Sequence, residues 1–285
     1  MDFSERLKHF NTAHPWEQMA TGAGVFRYRL SGAPGRPAVL CLNEFGIHEL
    51  WMDYVLALEK DYQVLTVAYP EAIQTSAVFC GALSELLNQL GLREIALMGA
   101  GDGGLLAQIY AAAHPDQVKA LILMATATAD CGRLSELRRR GRTYFPILRR
   151  KINLMNPKKL ITLAEQALRD ETAAEKVQIE ALLWDVAAAG DYRTRLTQTA
   201  RLAQDMLTMR PGVIKAELAG LEGSVLLIFP DQDIFDRADQ KKLEALWDCP
   251  EVRCVRGGHL SVAVRPQEYL RWIKVFLKGN DTGDF

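Results

Sequence analysis

The stretch IALMGAGDGG, residues 95–104, and the run LLAQIYAAAHP that follows it to residue 115 decide the fold. A continuous apolar run gives way to glycines and then to apolar residues at helical spacing. Such a chain is a buried strand turning within a few residues into a helix. Small residues are needed where the two elements nearly touch. The same pattern repeats outward. Upstream, Ala38–Leu42 (AVLCL) reads as a buried strand, and Tyr62–Ala68 as another that ends before Pro70. Ser76–Leu90 has apolar residues at helical spacing and stops at Gly91. Gly24–Leu30 reads as a strand closed by the turn SGAPGR. Downstream, His114-Pro115 ends the helix and Val118–Met124 is the next strand. Strands alternating with helices imply a parallel sheet joined by right-handed crossovers.

The middle of the chain differs. From about Asp130 to Leu221 there is no convincing strand, only helical periods with basic runs at Arg138–Arg142, Arg149–Lys151 and Lys158-Lys159. A solvated helical face accounts for such runs, and a phosphate-bearing or acidic partner is the alternative. After Gly223 the strand pattern returns with Val225–Phe229 and Glu251–Val255, separated by a helix over Arg237–Trp247. A last amphipathic helix covers Pro266–Leu277. The organisation expected is an α/β core formed by residues 20–129 and 222–278, a helical cap at 130–221, and a flexible tail at 279–285.

Composition bounds the function. The 285 residues are 49% hydrophobic and carry a formal net charge of −1, which excludes a whole-chain electrostatic nucleic-acid binder. Cys41, Cys80, Cys131, Cys249 and Cys254 are odd in number and lack CxxC spacing. That argues against a disulfide framework and a zinc site, and for a reducing compartment. No metal and no cofactor are expected. The first residues, MDFSERLKHF, lack the basic-then-apolar pattern of a signal peptide, and no apolar run approaches the ~18 residues of a membrane span. A soluble cytoplasmic protein is expected.

Three chemistries want glycines between a strand and a helix. Gly99 to Gly104 match G-x-G-x-x-G, the dinucleotide fingerprint. That fold needs an acidic residue at the end of the next strand to hold the ribose. Here the next strand runs into Ala125-Thr126-Ala127, and about three strands precede the glycines instead of one. An S-adenosylmethionine methyltransferase normally has an acidic residue just before its glycines, where Leu97 and Met98 stand. The third is a nucleophile elbow, G-x-S-x-G, in which a sharp turn presents a nucleophile at the top of the sheet.

The rest of the chain separates these readings. After Val225–Phe229 comes PDQDIF, and about 26 residues later RGGH, residues 256–259, followed by a helix. The order of elbow, acid and histidine, with helices inserted between strands, resembles the α/β-hydrolases over roughly residues 20–278. The resemblance implies a mostly parallel sheet with helices on both faces and an inserted helical cap. It places Asp233 as the triad acid, His259 as the triad histidine and Gly101 at the nucleophile's position. The oxyanion hole falls to the backbone N–H groups of Phe45 and Asp102. Asn43, Glu44 and His48 fall at the substrate side, His48 at the mouth. Within the family the chain is similar to the maspardin-type branch, mainly over residues 38–125. The run YQVLTVAYP, the pair Phe79-Cys80 at the opening of the next helix, and the elbow carry that likeness.

Two positions depart from the family's pattern. Gly101 has no hydroxyl to form an acyl-enzyme, and Asn43-Glu44 stands where His-Gly is usual. Glu44 brings an anion toward a site meant to welcome negative charge. Asp102, one residue past the elbow tip, is expected to point away from His259, as a surface or capping carboxylate. Cys41, Cys80, Ser261, His9, His14 and His114 read as ordinary structural or exposed residues. Three functions follow. His259, oriented by Asp233, acts as a general base in a lyase, isomerase or cyclase step on a small, largely apolar carbonyl compound seated between core and cap. Alternatively, the chain is an inactive pseudohydrolase that binds a ligand or a protein, as maspardin-like proteins are suspected to do. The third is a serine ester or thioester hydrolase carrying an engineered Ser→Gly at 101.

Overall fold

In the computed structural model, residues 2–154, 156, 158, 159, 162, 171–208, 212–221 and 223–281 are described. Eight strands form one sheet: β1 (Glu17–Thr21), β2 (Gly24–Ser31), β3 (Ala38–Leu42), β4 (Gln63–Ala68), β5 (Ile95–Ala100), β6 (Val118–Met124), β7 (Val225–Gln232) and β8 (Glu251–Gly258). Their order is β1-β2-β4-β3-β5-β6-β7-β8. The β1–β2 and β2–β4 pairings are antiparallel and all others parallel. The mostly parallel α/β sheet expected from the sequence is therefore the one formed.

Period-2 alternation on an unbroken apolar strand explains why both faces are covered. In β3, Ala38, Leu40 and Leu42 pack into one apolar layer, while Val39 and Cys41 pack into the other. The first layer is completed by α3 (Ser76–Gln89) and α4 (Asp102–Ala113). The second is completed by α1 (Phe3–Ala13), α2 (Met52–Leu58) and the last helix, α10 (Pro266–Asp281). Leu40 is wholly buried. Truncating such a side chain to alanine costs about 2–5 kcal/mol.

Between β6 and β7 the described residues form α5 (Gly132–Asn153), α6 (Ala173–Ala188), α7 (Tyr192–Thr208) and a 3₁₀ turn at Lys215–Leu221, with no strand among them. Carboxylates from one element cap the helix starts of another. Asp205 of α7 accepts the Ser76 N–H at 2.7 Å and its hydroxyl at 2.6 Å, at the start of α3. Asp239, in α8 (Arg237–Glu244), accepts the Gly132 N–H at 2.7 Å, at the start of α5. An anion at a helix N-terminus satisfies orphan N–H groups and the helix dipole together.

Several boundaries differ from the sequence reading. The amphipathic spacing of the last helix ends at Leu277, yet α10 runs to Asp281, where Asn280 Nδ2 donates to the Phe276 carbonyl at 2.9 Å. Residues 279–281 are thus helical rather than a flexible tail; residues 282–285 lie outside the described residues. The strand after the acid turn extends from Val255 to Gly258, because Asp231 Oδ1 accepts the Gly257 N–H at 2.8 Å and holds the chain extended. A four-residue helix, α9 (Ser261–Val264), precedes α10.

Candidate functional site

The turn between β5 and α4 is built around Gly101, with φ 53° and ψ −119°. That conformation strongly favours glycine. Thr126 Oγ1 donates to the Gly101 carbonyl at 2.6 Å, and the Gly101 N–H donates to the Met124 carbonyl at 3.1 Å. Gly103 lets α4 approach the neighbouring strand, since a Cβ there would lie 2.4 Å from the Leu42 carbonyl oxygen.

A second tight turn faces it. The Ile47 N–H donates to the Glu44 carbonyl at 2.8 Å, and both central residues have positive φ, Phe45 at 48° and Gly46 at 67°. This is the pattern of a type I′ turn. Holding a phenylalanine there costs about 1–2 kcal/mol. The turn aims the Glu44 side chain over Gly101. A Cβ at position 101 would lie 2.6 Å from both Cδ and Oε1 of Glu44. A side chain at 101 would therefore meet the far end of the Glu44 side chain, which would have to shift to make room.

Glu44 Oε1 lies 2.8 Å from Nε2 of His259. It lacks the alignment of a hydrogen bond, so the contact is close charge proximity. On the other side of the ring, Nδ1 donates to Asp233 Oδ1 at 2.7 Å in an aligned bond. Asp233 Oδ1 also accepts the Ile234 N–H at 2.6 Å. The side chains of His259, Glu44 and Asp233 are only 6%, 3% and 0% exposed. Phe235 packs its ring edge against the imidazole, with centroids 5.6 Å apart. Burial by itself lowers the His259 pKa; the adjacent Glu44 charge and the bond to Asp233 outweigh it and push it up to about 10. The two flanking carboxylates thus favour the protonated ring over the neutral one that a general base requires.

One of the two expected oxyanion donors is also engaged. The Phe45 N–H donates to Asp102 Oδ1 at 2.7 Å. Asp102 thus reaches across to the facing turn. Burial pushes its pKa up to about 7; the Phe45 N–H opposes this, and the Glu44 charge reinforces it. The expected oxyanion hole of Phe45 and Asp102 has its Phe45 donor filled by the protein's own carboxylate.

Residues 53–263 match the family model described as the alpha/beta hydrolase fold. The chain belongs to the alpha/beta hydrolase fold family. The monoacylglycerol lipases abhd6-B and abhd6-A of Xenopus laevis are 32% and 33% identical to it over 115 residues, 36% of this chain. The match spans about a third of the length of these curated relatives, 34% in each. Among solved structures, a membrane phospholipase A described as a bacterial virulence factor aligns with a TM-score of 0.72 at 20% identity, covering 98% of this chain and 92% of that one. The enol-lactonase of Burkholderia xenovorans LB400 aligns with a TM-score of 0.70 at 19% identity, covering 92% and 100%. At these identities the likeness is one of fold.

In this α/β-hydrolase frame the remaining expected site residues are bound up in structure. Asn43 spends its side chain inside the protein, donating to the Val67 carbonyl at 2.6 Å and accepting from Trp51 Nε1 at 3.0 Å. His48, expected at the mouth, is buried instead, in contact with Arg195 at 3.3 Å and Glu49 at 3.2 Å. Burial and the positive charges of Arg195 and Arg29 hold its pKa well below the ordinary histidine value. Arg195 of α7 bonds Glu49 at 2.9 Å, which ties this buried group to the turn after Glu44. Sequence reasoning missed Arg195, and also Glu171, whose Oε1 accepts the Gly258 N–H at 2.9 Å beside His259. No motif marks either residue; only the packing of the middle helices on the sheet edge brings them in. Among the described residues, no helix is long and apolar enough to cross a membrane.

Proposed function

We propose that this protein is a binding member of the α/β-hydrolase fold family, with no acyl-enzyme chemistry, in which Glu44 has taken the nucleophile's place. The observation that carries the reading is the Glu44 carboxylate, 2.8 Å from His259 Nε2, in the volume a side chain at 101 would need. A hydrolase of this type needs a nucleophile, a neutral histidine and free oxyanion donors. Here the first is a glycine, the second is held protonated between two carboxylates, and the Phe45 donor is occupied by Asp102. The maspardin-type resemblance of residues 38–125 supports the same direction. On this reading residues 20–129 and 222–278 are the core and 130–221 the cap. A small, largely apolar molecule or a partner protein engages where the two meet, in the cytoplasm. A serine at 101 would require the Glu44 side chain to move aside.

One observation favours a second reading, a proton-transfer enzyme without a covalent intermediate. Asp102, pushed up to about 7, titrates where a general acid or base works best.

Fluorophosphonate labelling of three proteins tests the proposal: the natural chain, Gly101→Ser, and Gly101→Ser with Glu44→Gly. The natural chain and the single variant stay unlabelled; the double variant labels, because the serine then has room to meet His259. Labelling of Gly101→Ser as fast as the double variant would contradict it. Turnover abolished by Asp102→Asn in a folded protein would move the conclusion to the second reading.

A further inference from the structure

We propose that the outer face of α5 docks this protein on an anionic lipid bilayer. Helix α5 spans 22 residues and contains eight basic residues and a single acidic one, in a chain whose formal net charge is −1. The positive charge is therefore concentrated on one element. Leu134, Gly141, Phe145 and Ile152 turn inward at helical spacing, so the opposite side faces out. Glu136 pairs with Arg139 and Arg140 near the start of the helix. Further along, Arg142, Arg150 and Lys151 are exposed.

The same outer side carries apolar groups that an ordinary solvated face does not require. Ile147 is 52% exposed and Leu154, seven residues on, is 86% exposed; Tyr144 is 42% exposed one turn before Ile147. Basic side chains that alternate with exposed Ile, Leu and Tyr match the surface of an anionic bilayer, which accepts both. Phosphates of a nucleic acid would engage the arginines but leave the apolar groups in water. A bilayer takes both kinds of group, which selects it over a nucleic acid. The proposal does not depend on what the site at Glu44 does.

Cosedimentation of the full chain with vesicles tests it. Two compositions are used: phosphatidylcholine alone, and phosphatidylcholine in which about a third is replaced by phosphatidylglycerol. The chain is expected to bind the second, with an affinity that falls as salt rises. Each basic residue near an anionic surface contributes about fivefold, so Arg150→Glu with Lys151→Glu lowers binding by more than about tenfold. Ile147→Ser with Leu154→Ser, which leaves every charge in place, lowers it by about tenfold. All four positions are exposed, and circular dichroism confirms that each variant is folded. Absence of binding to the anionic vesicles overturns the proposal. So does equal binding to both compositions. Binding to the anionic vesicles that neither variant weakens also overturns it, because the contact then lies elsewhere on the surface.

Discussion

Replacing Gly101 with serine would set a Cβ 2.6 Å from Cδ and Oε1 of Glu44 and 2.8 Å from its Cγ. Crowding of that kind in a packed interior costs about 1–3 kcal/mol. A side chain at φ 53° adds about 1–2 kcal/mol of backbone strain. The substitution alone should therefore destabilise the fold by about 2–5 kcal/mol. In a Glu44→Ala background the steric part vanishes and only the backbone part, about 1–2 kcal/mol, is left. The two substitutions should then couple by about 1–3 kcal/mol, each softening the other. Urea unfolding of the four proteins at neutral pH measures this, provided their m-values agree. Additivity within about 0.5 kcal/mol would mean that Glu44 and position 101 do not share a volume, and would refute the reasoning.

Three other outcomes are expected. The His259 pKa is raised from 6.5 to about 10, so the stability its proton contributes is complete below about 6.5 and is lost as pH rises to about 10. Glu44→Gln should flatten that decline in chemical denaturation measured from pH 7 to 10. Asp102 is raised from 3.8 to about 7, so ionising it costs the folded state stability that is fully lost above about 7. Asp102→Asn, which can still accept the Phe45 N–H, should gain on the natural protein by about 2–4 kcal/mol between pH 4 and 8. Arg195→Met removes the partner of buried Glu49 and should cost about 3–5 kcal/mol, read as a fall in the thermal midpoint.

Much of the sheet was legible because buried parallel strands are written as short apolar runs between glycines and prolines. The apolar runs Ala38–Leu42 and Val118–Met124 coincide with β3 and β6 residue for residue. Glu17–Thr21 and Phe3–Ala13 bear no such mark in the sequence. The strand lies at the sheet's edge, with two of its five residues partly buried and three exposed, and the helix buries only Leu7 and Phe10. Neither carries a strong apolar signal. At the site, the Asp233–His259 pair was legible from order and spacing. The contacts of Glu44 with His259 and of Asp102 with Phe45 were not, because both depend on a turn with two positive φ values whose tip is a phenylalanine. A sequence rule assigns such conformations to glycine or asparagine and so does not expect one at Phe45. His48 lies away from the mouth for a related reason: it is buried among groups distant in sequence, Trp16 and Arg195, the latter 147 residues away.

The most direct test of the account is the protonation state of His259 itself, read from the ring nitrogen shifts of ¹⁵N-histidine-labelled protein across a pH titration and assigned with His259→Gln. The account predicts both ring nitrogens protonated at neutral pH, release of the proton near pH 10, and a lower midpoint in Glu44→Gln. A His259 that is neutral at pH 7, or whose midpoint ignores Glu44→Gln, would contradict it.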